Sequence, residues 1–217
     1  MAQNNALSAH SAEEDTFTLV VGTDSTWSLR AWICAHLAEI SVSVHIIDLA
    51  KENYKKDILQ YSPTGLVPAL LTPNGVIHDS FAICEYLNEV SAQRLFPDSL
   101  DQRTLARSLC AEMHSGFMHI RSQCPFTLDK VNSVTLVTDE LKQELKRVES
   151  IFGSAKGKFM FDNASMVDAF YAILAYRIDH YGIQFSEQAG EYQQSLLNWP
   201  LLQQALQQAA LWREEQL

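Results

Sequence analysis

One proline constrains this chain more than any other residue. In Ser62-Pro63-Thr64-Gly65-Leu66-Val67-Pro68-Ala69-Leu70, Pro68 stands at the mouth of an apolar run. A proline cannot donate to a sheet ladder, so it reads as the first residue of a strand or as an edge position. A buried X-Pro bond in a tight turn is also where a cis peptide would sit. Asp79-Ser80 then precedes Ile83, Tyr86, Leu87 and Val90, which recur at i, i+3, i+4 and i+7, so Ser80 reads as the N-cap of a helix. A proline-entered strand beside a polar pair at a helix head can hold one peptide-like ligand.

The segments on either side give this feature a setting. Thr16 to Val21, ending at Gly22, and Val42 to Leu49 read as strands. Leu29, Trp32, Ile33, His36, Leu37 and Ile40 fall at helical spacing between them, completing a βαβ unit. Pro68 to Thr72 and Val76 to His78 form a hairpin across Pro73-Asn74-Gly75. Ser91 to Leu100, with Pro97-Asp98-Ser99, is the best boundary, and everything beyond it reads helical. The expected helices are Asp101 to Gln123, Thr135 to Phe152, Met166 to Tyr181, Glu187 to Leu197 and Leu201 to Trp212, with Ser165-Met166-Val167-Asp168 resembling a capping box. The division is therefore a disordered extension over 1–15, an α/β domain over 16–91, a linker over 92–100 and an all-helical domain over 101–217.

Composition removes several function classes. A net charge of -10 with no dense Lys/Arg cluster argues against nucleic acid and anionic lipid as partners. The first fifteen residues have neither a basic start nor an apolar run, so they read as neither secretory signal nor membrane span. Four cysteines are scattered through helical segments without metal-ligand spacing, which points to a reducing cytoplasm and no metal. No glycine-rich nucleotide loop or nucleophile-elbow serine is present.

With Val67-Pro68 before the third strand, Asp79-Ser80 opening the next helix, and a helical second half, the chain resembles the cytosolic glutathione transferase superfamily, in particular its serine-type, bacterial classes. The resemblance implies a thioredoxin-like βαβ-ββα domain followed by an all-α domain, a homodimer, and glutathione as co-substrate. It places Ser25, in Ser25-Thr26-Trp27-Ser28-Leu29-Arg30-Ala31-Trp32, as hydrogen-bond donor to the glutathione thiolate. A thiol near the reference value of about 8.5 is mostly protonated at neutral pH, so a hydroxyl and a helix N-terminus aimed at the sulfur raise the reactive fraction. The resemblance also assigns the backbone of Val67, beside Pro68, to the cysteinyl part, and Asp79 and Ser80 to the γ-glutamyl ammonium and carboxylate. Leu66 stands where many relatives have a polar residue for the glycine carboxylate; His45, Lys51, Lys55 or Lys56 would have to compensate. Met113, His114, Phe117 and Arg121 are expected to line an electrophile pocket, with Arg121 able to attract an acidic substrate.

Each assignment has a plainer competitor. Ser25, Thr26 or Ser28 could simply cap a helix, and so could Asp79-Ser80. A Met and aromatic stripe is commonly core. Three functions stay open: transfer of glutathione to a small hydrophobic electrophile, glutathione-dependent isomerisation or dehalogenation, and a non-catalytic binding or regulatory role.

Overall fold

A computed structural model describes residues 17–134 and 137–216 of the chain. The expected extension 1–15 lies outside the described residues, as do Thr16 and Thr135, the expected starts of the first strand and of a later helix. The order is β1 (Phe17–Gly22), α1 (Thr26–Leu37), β2 (Val42–Ile47), α2 (Tyr54–Ile58), β3 (Ala69–Thr72), β4 (Gly75–His78) and α3 (Ser80–Val90). Helices α4 (Leu100–Ser115), α5 (Met118–Gln123), α6 (Asp139–Phe152), α7 (Met166–His180), α8 (Glu187–Leu197) and α9 (Pro200–Glu214) follow. This is the α/β thioredoxin-like part and the helical part that the sequence leads one to expect.

The sheet runs β2-β1-β3-β4, with β1 parallel to β2 and antiparallel to β3. Alternation along β1 divides the core. Leu19 and Val21 join the large cluster shared with α1, α3 and α7, whereas Val20 faces a smaller one with Ile47, Ile58 and Ala69. Successive strand side chains point to opposite faces, so six residues of β1 serve both layers. Helix α2 covers the second face through Ile58. The sequence leaves it as a connecting segment, because five residues are too few for apolar periodicity to show.

The expected helix from Asp101 to Gln123 is two helices. Its periodicity runs on through the break, but Gly116 is extended and Phe117 adopts a left-handed φ of 60°. A Cβ at Gly116 would lie 2.8 Å from the Glu112 carbonyl oxygen, so the turn there admits only glycine. Arg121 secures the corner, donating to the carbonyls of Gly116, Met113 and His114. At the other end of the chain, Arg213 of α9 donates to Asp24, in the loop between β1 and α1, at 2.6 Å.

Helix α7 crosses the centre of the helical part almost wholly buried. Its start is a capping box: Asp168 accepts from the Ser165 N–H and hydroxyl, both at 2.8 Å, and also from Met160 N–H and the Tyr192 hydroxyl. Burial pushes the Asp168 carboxyl above its ordinary range, against the pull of those four hydrogen bonds.

Candidate active site

The site begins where β1 ends. A Cβ on Gly22 would lie 2.8 Å from Val67 Cγ2 and 2.7 Å from Leu49 Cδ1, so glycine is what lets the loop before Pro68 close on β1. The Val67–Pro68 peptide is cis. Thr64 braces the loop, its hydroxyl bonding Ser62 Oγ at 2.9 Å and accepting from Leu66 N–H. Ser25 caps α1, its Oγ accepting from Ser28 N–H at 3.2 Å. That bond occupies a lone pair of Ser25 and leaves its O–H proton available to donate. The first turn of α1 has no acidic residue, so nothing there offsets the positive end of the helix.

Across from Val67, α3 starts at Asp79, which is its N-cap; Ser80 is the first helical residue rather than the cap the sequence suggests. Asp79 adopts φ 75° with ψ 129°, outside the left-handed helical region and strained for an L-residue, and its Oδ1 accepts from Phe81 and Ala82 N–H at 2.8 and 3.3 Å. Its Oδ2 meets His114 Nε2 at 3.0 Å, a contact from α4 in the helical part to the α/β part. The Ser80 hydroxyl is buried and has no hydrogen-bond partner among the described residues, and neither has His114 Nδ1. Buried polar atoms are nearly always paired, so two such atoms on one wall mark a place built for something else to bind.

These residues surround a cleft of about 440 Å³, walled by Trp27, Thr64, Leu66, Val67, Pro68, His78, Asp79, Ser80 and His114. Residues 24–90, which supply every wall but His114, match the family model described as glutathione S-transferase, N-terminal domain. The chain superposes on a glutathione transferase homolog from Burkholderia GL BGR1 with bound glutathione: TM-score 0.68, 21% identity, 91% of this chain and 99% of that one. Residues 24–90 thus match a glutathione S-transferase N-terminal domain, and the chain has the fold of glutathione transferases. Among curated relatives it is similar to a stringent starvation protein A homolog of Coxiella burnetii, 27% identical over 71% of this chain and 73% of the relative. It is also similar to glutathione S-transferase Z2 of Arabidopsis thaliana, 26% identical over 64% of this chain and 69% of the relative.

Four residues that the resemblance assigns to glutathione come together here: Val67, Pro68, Asp79 and Ser80 share the cleft, with Leu66, 66% exposed, at its rim. Ser25 lies two residues before the wall residue Trp27, at the cap of α1, and is 8% exposed. His114 shares the cleft too, but at the Asp79 end, so it stands with the tripeptide positions and not with an electrophile pocket.

The other expected residues lie elsewhere. His45 stacks on Tyr61 at 4.4 Å in a separate hollow formed with Lys51 and Gln216, because it is the β2 partner of Val20 and faces the α2 side of the sheet. Lys51 there pairs with Asp48 and Gln216, and Lys55 and Lys56 are exposed on α2. Met113 and Phe117 are core residues, with Phe117 against Tyr171. Arg121 lies behind the wall, 4.8 Å from the Trp27 ring centroid. Trp27, Thr64 and His78 are wall residues that the sequence reading passes over. Trp27 was visible as a bulky ring in the first helical turn after the loop serine, although only the fold tells such a ring from core.

Proposed function

We propose that the cleft binds glutathione and holds its sulfur as a thiolate for attack on a small hydrophobic electrophile. The observation that carries this reading is the uncommitted, buried Ser80 hydroxyl at the N-terminus of α3, facing the Val67–Pro68 turn across one cleft. Backbone N–H groups at the start of α3 and the Ser80 hydroxyl would take the γ-glutamyl carboxylate. Asp79 Oδ2, oriented by His114, would take the ammonium. The backbone of Val67 would pair with the cysteinyl peptide in the manner of an added strand. Ser25 would then donate its proton in a hydrogen bond to the sulfur, at an α1 N-terminus that favours the anion, and the thiol proton would leave to solvent without a dedicated base.

The proposal extends to a serine-type class, to a homodimer in the cytoplasm, to detoxification as the role, and to domains of 16–91 and 101–217 joined by 92–100. Isomerisation or dehalogenation would use the same thiolate. A non-catalytic regulatory role has one observation in its favour: exposed Leu66 offers nothing to a glycine carboxylate, and the described cleft walls hold no lysine or arginine.

Glutathione-affinity capture followed by a thiol-conjugation assay on wild type and Ser25→Ala tests the proposal. Capture of both proteins, with bound thiolate absorbance shifted to higher pH and conjugation at neutral pH cut about tenfold in Ser25→Ala, is the expected result. Failure of the wild type to bind glutathione would sink it, and binding with no turnover of any electrophile would favour the regulatory role.

A further inference from the structure

Behind Trp27 lies an arrangement that the reaction as proposed does not use. Arg30 of α1 is 1% exposed, and its Nε and Nη1 have no hydrogen-bond partner. Its guanidinium rests on the Phe170 ring at 5.1 Å and lies 5.7 Å from the Trp27 centroid. Arg121 of α5 sits 4.8 Å from the same Trp27 ring, and its Nη1 is buried and unpartnered while its other nitrogens hold the α4–α5 corner. Arg177 of α7 is close behind, donating to the carbonyls of Arg121 and Cys124.

Among the described residues none of these three arginines is within 4.0 Å of a carboxylate oxygen. Glu144, the one carboxylate acting on Arg121, is engaged by the N–H groups of His119 and Ile120. Burial, with the charges of Arg121 and Arg177, lowers Arg30 from its ordinary value to about 9, so it stays cationic at neutral pH. Buried cations are ordinarily paired, because desolvating a lone charge is costly. The chain has no shortage of partners, with 26 acidic residues against 16 basic ones. Their absence at this spot leaves two cations within 5.7 Å of the centroid of a ring that forms the cleft wall.

Trp27 is 37% exposed and forms that wall. An anion at the positive edge of the exposed indole would sit within about 8 Å, the physiological screening length, of both guanidiniums. Arg121 and Arg177 come from the helical part, away from the β3–α3 positions proposed for glutathione. We infer that the exposed edge of Trp27, with Arg30 and Arg121 beside the ring, is an anion-selecting subsite, and that the second substrate is an electrophile whose non-reacting end carries a carboxylate. For the reaction this rests on the transferase reading; for binding it does not.

A matched pair tests it: a chloronitrobenzoate with chlorine ortho to the nitro group, and the methyl ester of the same acid. In both, the glutathione sulfur bonds to the ring carbon and chloride leaves with its bonding pair. The ratio of kcat/KM for acid over ester, divided by the same ratio for glutathione without protein, reads the preference. Wild type should favour the acid, Arg121→Met should lower the ratio about tenfold, and Arg121→Lys should keep most of it. Arg30→Met should lower it as well, with a melting temperature at or above that of wild type, since the charge it removes has no partner. Unreactive nitrobenzoate, measured by calorimetry without glutathione, should bind wild type more tightly than its methyl ester does, and Arg121→Met should lose the difference. A ratio unchanged in both methionine variants overturns the inference. So does nitrobenzoate that glutathione displaces, which would give the arginines to the tripeptide. Conjugation without acid preference sinks the subsite and spares the transferase reading; acid-selective binding without conjugation does the reverse.

Discussion

Helices α3 and α7 each begin with an aspartate and a serine, put to opposite ends. At α3 the Asp is the N-cap and accepts N–H groups of the first turn, beside Ser80; at α7 it is the third helical residue and accepts the N–H groups of the N-cap Ser165 and of Met160. At α7 every group is used: Asp168 accepts four hydrogen bonds, and the Ser165 hydroxyl supplies one of them. At α3 the Asp79 carboxylate reaches outward to His114, while the Ser80 hydroxyl is buried with no partner. A saturated cap is finished structure. An unsaturated one, on a cleft wall, has capacity left for a ligand.

Substitutions can break this contrast, the strongest first. Asp168→Ala leaves several buried donors unpaired and should cost about 3–4 kcal/mol, lowering the melting temperature by roughly 10 °C for a chain of this size. Glutathione affinity of the folded protein should be unchanged. Because burial raises the Asp168 carboxyl, the native state holds its proton more tightly than the unfolded chain. Its ionisation therefore subtracts stability as pH climbs from the ordinary carboxylate value of about 3.9 through the native value, and Asp168→Asn should flatten that part of a stability–pH curve.

Asp79→Ala should reverse the pattern. Loss of the cap costs about 1 kcal/mol of stability, whereas loss of the charged partner for the ammonium costs about 2–3 kcal/mol, which is a weakening of glutathione binding by roughly 30- to 140-fold in calorimetry. Ser80→Ala separates the two helices most sharply. No hydrogen bond of the free protein is lost, so the melting temperature should hold, while glutathione affinity falls about tenfold. A drop in melting temperature without loss of affinity would make Ser80 as structural as Ser165. The smallest change expected is a gain: Leu66→Lys, at an exposed rim position, should tighten glutathione a few-fold, in line with the ~1 kcal/mol typical of an exposed ion pair, and more at low salt than at high.

Much of this was legible in the sequence where local chemistry settles the backbone. Pro68, the Pro73-Asn74-Gly75 turn and the Ser165–Asp168 box each act within a few residues, and each lies where the residues place it. What failed depended on distance or on facing. The apolar pattern of Met113, Phe117 and Ile120 continues through the α4–α5 corner, so periodicity could not reveal the break at Gly116. His45 was misplaced because strand register decides which side of the sheet a residue faces, and the pairing of His45 with Val20 is not a local property. The contact of His114 with Asp79 joins helices from the two halves, and no spacing along the chain announces it.

The bond from Arg213 to Asp24 closes a loop of chain 189 residues around and fixes the turn just ahead of Ser25. The end of the cleft proposed for the sulfur is thus assembled from the first strand's exit and the last helix together. A ribosome making this protein would release every residue proposed to touch glutathione long before the arginine that steadies their geometry. The α/β half by itself would own the parts of the site without its final shape, and binding would come into being only as the last helix docks.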